Sequence, residues 1–229
     1  MDADEMLATT RAVRKRLDPS REVPENLIRE CVDLALQAPA GSNVPRTRFV
    51  VVRDPELRAA IAEIYSDIYL NSYRESAGYI GRVEAKDAGI QQRTARSADA
   101  LERALHEVGT IVIACLDGVR LDGSPAFASA SMLGGVLPAM WSFMLAARAR
   151  GLGTCWTTMH LARERDVADV LGIPFDTVQQ VCLTPLAYTK GEKFGRADRP
   201  EADEIIHWDR WDSGKLAAPP MNGIARVSS

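Results

Sequence analysis

The chain has 229 residues, 46% of them hydrophobic and 26% charged, enough for one good-sized core and unlike a disordered or fibrous chain. Lysine and arginine total 28 against 31 aspartate and glutamate, a formal charge of -3. That balance excludes a general attraction to nucleic acid or to an anionic membrane, so any anion site has to be built locally.

The opening "MDADEMLATTRAVRKR" runs from acidic to basic without an apolar centre, unlike a secretory signal, and ends with Arg11, Arg14, Lys15 and Arg16 close together. "DPSREVPENLIRECVDLALQAP" predicts a helix. Pro24 suits its first turn, Leu27, Ile28, Cys31, Leu34 and Ala35 recur at helical spacing, and Pro39 stops it. After the lean bend "APAGSNVPR", "RFVVVRD" reads as a strand and "DPELRAAIAEIYSDIYL" as a helix opened by Asp54 and Pro55. From Asn71 to His106 the chain is polar and charged with little apolar pattern, which predicts a helical excursion at the periphery.

"GTIVIACLDG" does not alternate and predicts a strand covered on both faces. "SMLGGVLPAMWSFMLAARARGLG" predicts a long interior helix ended by Gly151 and Gly153, with "TCWTT" leading off as strand or extended loop. Glycines, a proline and arginines interrupt that run, so no membrane span is expected. "ARERDVADVLGIP" predicts a short amphipathic helix stopped by Gly172 and Pro174, and "TVQQVCLTPLAY" a third strand. "KGEKFGRADRP" then brings Lys190, Lys193, Arg196 and Arg199 together ahead of a tail with two tryptophans. Elements interleave without repeats or a linker, so one cytoplasmic domain over residues 1–229 is expected.

Several chemistries find no support. The four cysteines lie far apart without a CxxC pair, and three sit in apolar runs, which predicts buried, reduced thiols. His106, His160 and His207 lack ligand spacing, so no metal site is expected. Neither phosphate loop, G-x-G-x-x-G after a strand or G-x-x-x-x-G-K-[ST], is present, nor is a Gly-x-Ser-x-Gly elbow. What remains is four patches of cations and small residues: "TTRAVRKR", "APAGSNVPR", "GLGTCWTT" and "KGEKFGRADRP". Arginines suit a phosphate, and free backbone N–H groups with the Asn43 amide suit the edge of a planar ring. Any one patch by itself reads more readily as solvated surface than as a site.

Together, in this order, the four resemble the nitroreductase family of FMN-dependent oxidoreductases across nearly the whole chain. Arg11 to Arg14 looks like that family's Arg-Ser-x-Arg, and Ala38 to Asn43 like its Ala-Pro-Ser-x-x-Asn loop. "LPAMWSFMLAARARGLGTCWTT" resembles its central helix, and "RADRPEADEIIHWDRW" its closing Arg-Arg-Pro segment. Five departures stand out, one being Ala197, where a lysine is sometimes found two residues before the last arginine. Pro45-Arg46-Thr47 replaces Gln-Pro-Trp, Trp141-Ser142 replaces Gln-Asn, and Ala12 replaces the serine. Arg16 stands where an aromatic is usual.

The resemblance implies an α+β fold, a mixed central sheet flanked by helices, with an extended C-terminal tail (212–229) wrapping a dimer partner. It implies a homodimer with flavin at the subunit interface. FMN would be held by Arg11, Ala12, Val13 and Arg14, by Pro39, Ala40, Gly41 and Asn43 reaching the flavin of the partner subunit, by Thr157, Thr158 and Met159, and by Arg196 and Arg199. The flavin, not a catalytic side chain, would carry the chemistry: hydride from NADPH or NADH would pass through N5 to a nitroaromatic, quinone or similar electron-poor aromatic. Arg46 is a candidate substrate-anion contact. The segment 65–103 falls where the family varies over the pocket mouth and reads as a lid. Tyr69 and Tyr73, with Tyr65 and Tyr79, are candidates for stacking on substrate, and Arg74 or Lys86 for meeting its charge. Two alternatives stand beside this: a specialised flavin enzyme such as a reductive dehalogenase, and a non-catalytic flavin-binding protein.

Overall fold

The computed structural model describes residues 1–76, 79, 89–191, 193–212 and 214. In chain order its elements are α1 (Ala3–Thr9), β1 (Leu17–Asp18), α2 (Glu25–Ala35), β2 (Thr47–Val52), α3 (Pro55–Ile68), α4 (Ile90–Ala104), β3 (Thr110–Asp117), α5 (Ala126–Ala149), β4 (Leu152–Thr154), α6 (Glu164–Leu171), β5 (Val178–Thr189) and α7 (Ala202–Ile205). Tight 3-10 turns occupy Gly41–Asn43 and Met159–Arg163, and a π-helical turn, Tyr69–Tyr73, extends α3.

The sheet order is β1-β5-β3-β2, with β4 paired to β5. These ladders are antiparallel, and an isolated parallel bridge joins Val119 to Val178. The central strand β3 explains its own unbroken apolar run. Successive side chains point to opposite faces, and both faces are covered. Ile111, Ile113 and Cys115 enter one core cluster with Ile61 and Tyr65 of α3, Leu101 of α4 and Val167 of α6. Val112, Ala114 and Leu116 enter the other, with Ile28, Cys31 and Ala35 of α2 and Met140, Phe143 and Ala147 of α5.

Three expectations are corrected. Leu34 leaves the core stripe of α2 and is 47% exposed, because the buried row is Ile28, Cys31 and Ala35. The chain between Asn71 and His106 is not wholly peripheral: Tyr79, Ala95, Leu101 and Leu105 are buried in the first cluster. Finally, α5 runs unbroken through Pro138 for 24 residues, and by length and composition it is apolar enough to cross a membrane. Its residues Val136, Ala139, Met140, Phe143, Met144, Ala146 and Ala147 are instead buried in the protein's own core. All four cysteines are free and buried, as expected.

Candidate active site

The first patch is positioned by main chain. Helix α1, capped by the Asp2 carboxylate accepting from the Glu5 N–H at 2.7 Å, stops at Thr10 and releases an extended segment. There the Val13 N–H donates to the Thr154 carbonyl at 2.8 Å, tying Arg11–Arg14 to β4. β1 then pairs with β5, Leu17 opposite Thr189. The Lys190 N–H donates to the Arg16 carbonyl at 2.7 Å, while the Arg16 guanidinium returns bonds to the carbonyls of Lys190 and Lys193 at 2.8 and 2.9 Å. Three of the four patches therefore meet: the N-terminal arginines, the segment after α5, and the loop after β5.

Where they meet, the Arg14 side chain lies close to the Cys155 thiol, and Thr157 close to the Tyr65 hydroxyl. Burial pushes Tyr65 up to about 12, opposed by Thr157 and by the charge of Arg14. Burial likewise raises the Cys155 thiol, with Arg14 opposing. As the chain leaves β4, the Cys155 N–H is satisfied by the Thr184 hydroxyl at 2.8 Å. Thr157 exchanges backbone bonds with Leu183 at 2.9 and 2.8 Å, and its hydroxyl accepts from the Met159 N–H at 3.3 Å. Thr158 is exposed beside them. Behind this turn the Glu164 carboxylate accepts from Arg120 twice at 3.0 Å and from the Gln180 N–H at 2.8 Å, fixing the turn to the start of β5.

Of the motif arginines, Arg11 spends Nη1 and Nη2 on the carbonyls of Thr10 and Ala8, closing the end of α1. Arg196 and Arg199 are exposed on the loop after β5, Arg199 bonding the neighbouring Asp198 carbonyl at 3.0 Å. Ala12 is exposed and Val13 buried.

The loop bearing Pro39, Ala40, Gly41 and Asn43 lies elsewhere, against α5. A Cβ on Gly41 would stand 3.3 Å from the Ser131 hydroxyl, and one on Gly135 would stand 3.8 Å from the Ala40 Cα. Asn43 takes φ 55°, in the left-handed region that asparagine tolerates better than most residues. No hydrogen bond or ion pair among the described residues joins this loop to the other three patches. Arg46 donates to the Asp117 carbonyl at 3.2 Å at the end of the β2–β3 ladder.

The tyrosines of the 65–103 segment pack on one another. Tyr69, 1% exposed, lies between Tyr65 and Tyr73 with ring centroids 6.2 and 5.2 Å away. Tyr69 and Tyr79 both donate to one oxygen of Asp99, at 2.9 and 2.8 Å. Arg74 stands 5.8 Å from the Tyr79 ring. Lys86 lies outside the described residues, as does the tail apart from Asp212 and Gly214.

One residue was missed in the sequence. Arg148, at the end of α5, donates to the Thr9 hydroxyl at 2.7 Å, and its guanidinium carbon stands 4.6 Å from the Phe194 ring centre. Arg16 stands 4.2 Å from the same ring. A charge one turn beyond the buried Met144 was the available signal. Among the described residues, no group of His, Cys, Asp and Glu could hold a metal ion.

Residues 7–188 match the Nitroreductase family. A Methanothermobacter thermautotrophicus protein, named as a candidate NADH dehydrogenase/NAD(P)H nitroreductase, is 28% identical over 213 residues, covering 92% of this chain and 88% of its own. Protein DrgA of Synechocystis is 25% identical, covering 88% and 86%. Among solved structures, an iodotyrosine deiodinase bound to FMN and 3-iodo-L-tyrosine has a TM-score of 0.69 at 18% identity, over 91% of this chain and 99% of that one. The NfrA1 nitroreductase of B. subtilis has a TM-score of 0.67 at 15% identity, over 93% and 76%. With the sheet, the central α5 and most of the chain's length accounted for by that match, the chain belongs to the nitroreductase family.

Proposed function

We propose that the chain is an FMN-dependent oxidoreductase that takes hydride from NADPH or NADH and delivers it to nitroaromatics, quinones or similar electron-poor aromatics. The observation that carries this reading is the convergence of Arg14, Thr157 and Arg16 through the Val13–Thr154 and Arg16–Lys190 bonds. Residues distant in sequence and chosen for a phosphate and a ring edge meet at one place. The donors also fit FMN in what they lack. Arg11, Arg14, Arg16, Arg148, Arg196 and Arg199 form no ion pair with a carboxylate among the described residues. Arg148 also keeps a buried Nε without a partner among the described residues. Unmatched cations beside a buried donor suit a dianionic phosphate.

When bound, FMN supplies the two-electron chemistry. The chain's part is placement and electrostatics. Arg14 brings a fixed positive charge to the wall formed by Tyr65, Cys155 and Thr157, which favours an anionic reduced ring. Thr158 and Met159 offer backbone at the rim. Of the relatives, the Methanothermobacter protein's name supports the nicotinamide donor, and the FMN bound by the deiodinase supports FMN.

The same geometry supports a homodimer. α5 exposes Phe127 (78%), Leu137 and Trp141 (40%) on a stripe that also carries Ala130, Ser131 and Gly134. Small residues flanked by large apolar ones suit close packing of a second copy. The Pro39–Asn43 loop rests on this helix, so pairing through it brings each loop to its partner's arginines. Arg46 borders the substrate.

Anaerobic absorption spectra of the purified chain, before and after NADH and NADPH, test the proposal. Bound flavin that bleaches with either nicotinamide and is reoxidised by a quinone is the expected result. A chain that cannot take up FMN would overturn the reading, and flavin that stays oxidised with both donors would leave a binding protein instead of an enzyme.

A further inference from the structure

The arginine that the family resemblance passes over, Arg148, is the one whose surroundings ask for an anion. It reaches the surface from the last turn of α5, where Met144 and Ala147 are buried. Its Nη2 is used by Thr9, and its Nε is buried without a partner among the described residues. Its guanidinium packs on Phe194, and Arg16 packs on that ring too. Burial depresses the Arg148 guanidinium, the charge of Glu5 opposes this, and Arg11 and Arg16 add to it. Glu5 forms no ion pair with it among the described residues, so positive charge here exceeds negative.

Such a grouping is costly unless something anionic completes it, since like charges held together in a partly buried place repel. Arg11 does not answer the need, because Nη1 and Nη2 are committed to the α1 carbonyls. Arg16 is anchored by Nε and Nη1 to Lys190 and Lys193. Phe194 keeps the two guanidiniums at fixed stations on a flat, apolar platform, which lowers the entropy lost when they close on a ligand.

Resting on the flavin reading above, we propose that Arg148, held by Thr9 and Phe194, is a phosphate ligand for FMN acting with Arg16, and that this pair gives the site its preference for FMN over riboflavin. The bland alternative is a helix-end cation that complements the α5 dipole and packs on Phe194. The two differ in what they do to a flavin that lacks the phosphate.

Equilibrium binding of FMN and of riboflavin to the flavin-free full chain, followed by quenching of flavin fluorescence, separates them. The expected result for Arg148→Ala is FMN affinity reduced roughly 10- to 100-fold, the range of one or two charge-assisted hydrogen bonds, with riboflavin changed less than about twofold. Arg148→Lys should recover part of the loss. Equal weakening of both flavins, or FMN binding as in the wild type, would overturn the proposal while leaving the flavin reading intact. A wild-type chain that binds neither flavin would remove both. Should Arg148→Ala fail to fold, Phe194→Ala, on a loop outside the strands and helices, carries the same comparison, with a smaller loss confined to FMN expected.

Discussion

The backbone N–H of Val13 donates to the carbonyl of Thr154 at 2.8 Å, and the residue between Thr154 and the end of α5 that permits this is Gly153. A Cβ at Gly153 would stand 2.8 Å from both Val13 Cγ1 and Thr189 Cγ2. Gly153→Ala should therefore lower stability by about 1–3 kcal/mol, the usual cost of overpacking. It should also weaken FMN binding, because the N-terminal arginines are displaced from β4. Thermal unfolding and a flavin titration of the same sample check both parts.

Asp99 joins the segment after α3 to α4 through two tyrosine hydroxyls on one carboxylate oxygen. Burial pushes the Tyr69 hydroxyl far above its ordinary range, and Asp99 adds to this, so the phenol stays a neutral donor. Asp99→Ala leaves that buried hydroxyl unmatched and should cost about 1–3 kcal/mol. Tyr69→Phe removes donor and demand together and should cost less. If the double variant loses as much as the two single losses summed in denaturant melts, the hydroxyl and carboxylate are not coupled.

His160 is fully buried, and neither ring nitrogen has a partner among the described residues. Burial holds its pKa down at about 3, against an ordinary 6.5. The ring is neutral in the fold and protonates once unfolded, so unfolding takes up a proton below pH 6.5. Stability from this group is undiminished above pH 6.5 and falls by about 1.4 kcal/mol per pH unit toward pH 3. His160→Phe should flatten the acid limb of the stability–pH curve. An unchanged slope would show that another group governs it.

Glu164, nearly buried, accepts from Arg120, Gln179 and Gln180 at once. Removing one partner of a buried pair strands the other, so Glu164→Ala should cost about 3–5 kcal/mol. Glu164→Gln should cost less because it retains an acceptor. Urea melts of the two variants give the comparison.

Leu137→Arg together with Trp141→Arg places charge on the exposed stripe of α5. The expected outcome is a monomer in sedimentation, with FMN affinity lost alongside the dimer. A monomer that still binds FMN as tightly as the wild type would show that one chain completes the site.

The architecture was legible because its signals are local. The unbroken apolar run Thr110–Asp117 could only be a strand covered twice, and the run from Met132 to Ala147 only a helix in an interior. The four patches were likewise visible as strings, and their order carried the family. Other features are not strings. Leu34 obeys helical spacing yet points outward, because the direction of the α2 stripe is set by where α5 lies. Tyr69 reads as a candidate for stacking on substrate, yet it is packed between Tyr65 and Tyr73 with its hydroxyl received by Asp99, 30 residues on.

What the sequence alone determined was which elements form and which chemistry their residues can offer, since both depend on side chains a few positions apart. What only the tertiary structure decided was which of those residues meet. Arg148 reaches Thr9 across 139 positions and Arg16 reaches Lys193 across 177, while the Pro39–Asn43 loop, nearer in sequence, stays apart. Side-chain periodicity fixes a face, but convergence depends on how the covered sheet stacks those faces in space.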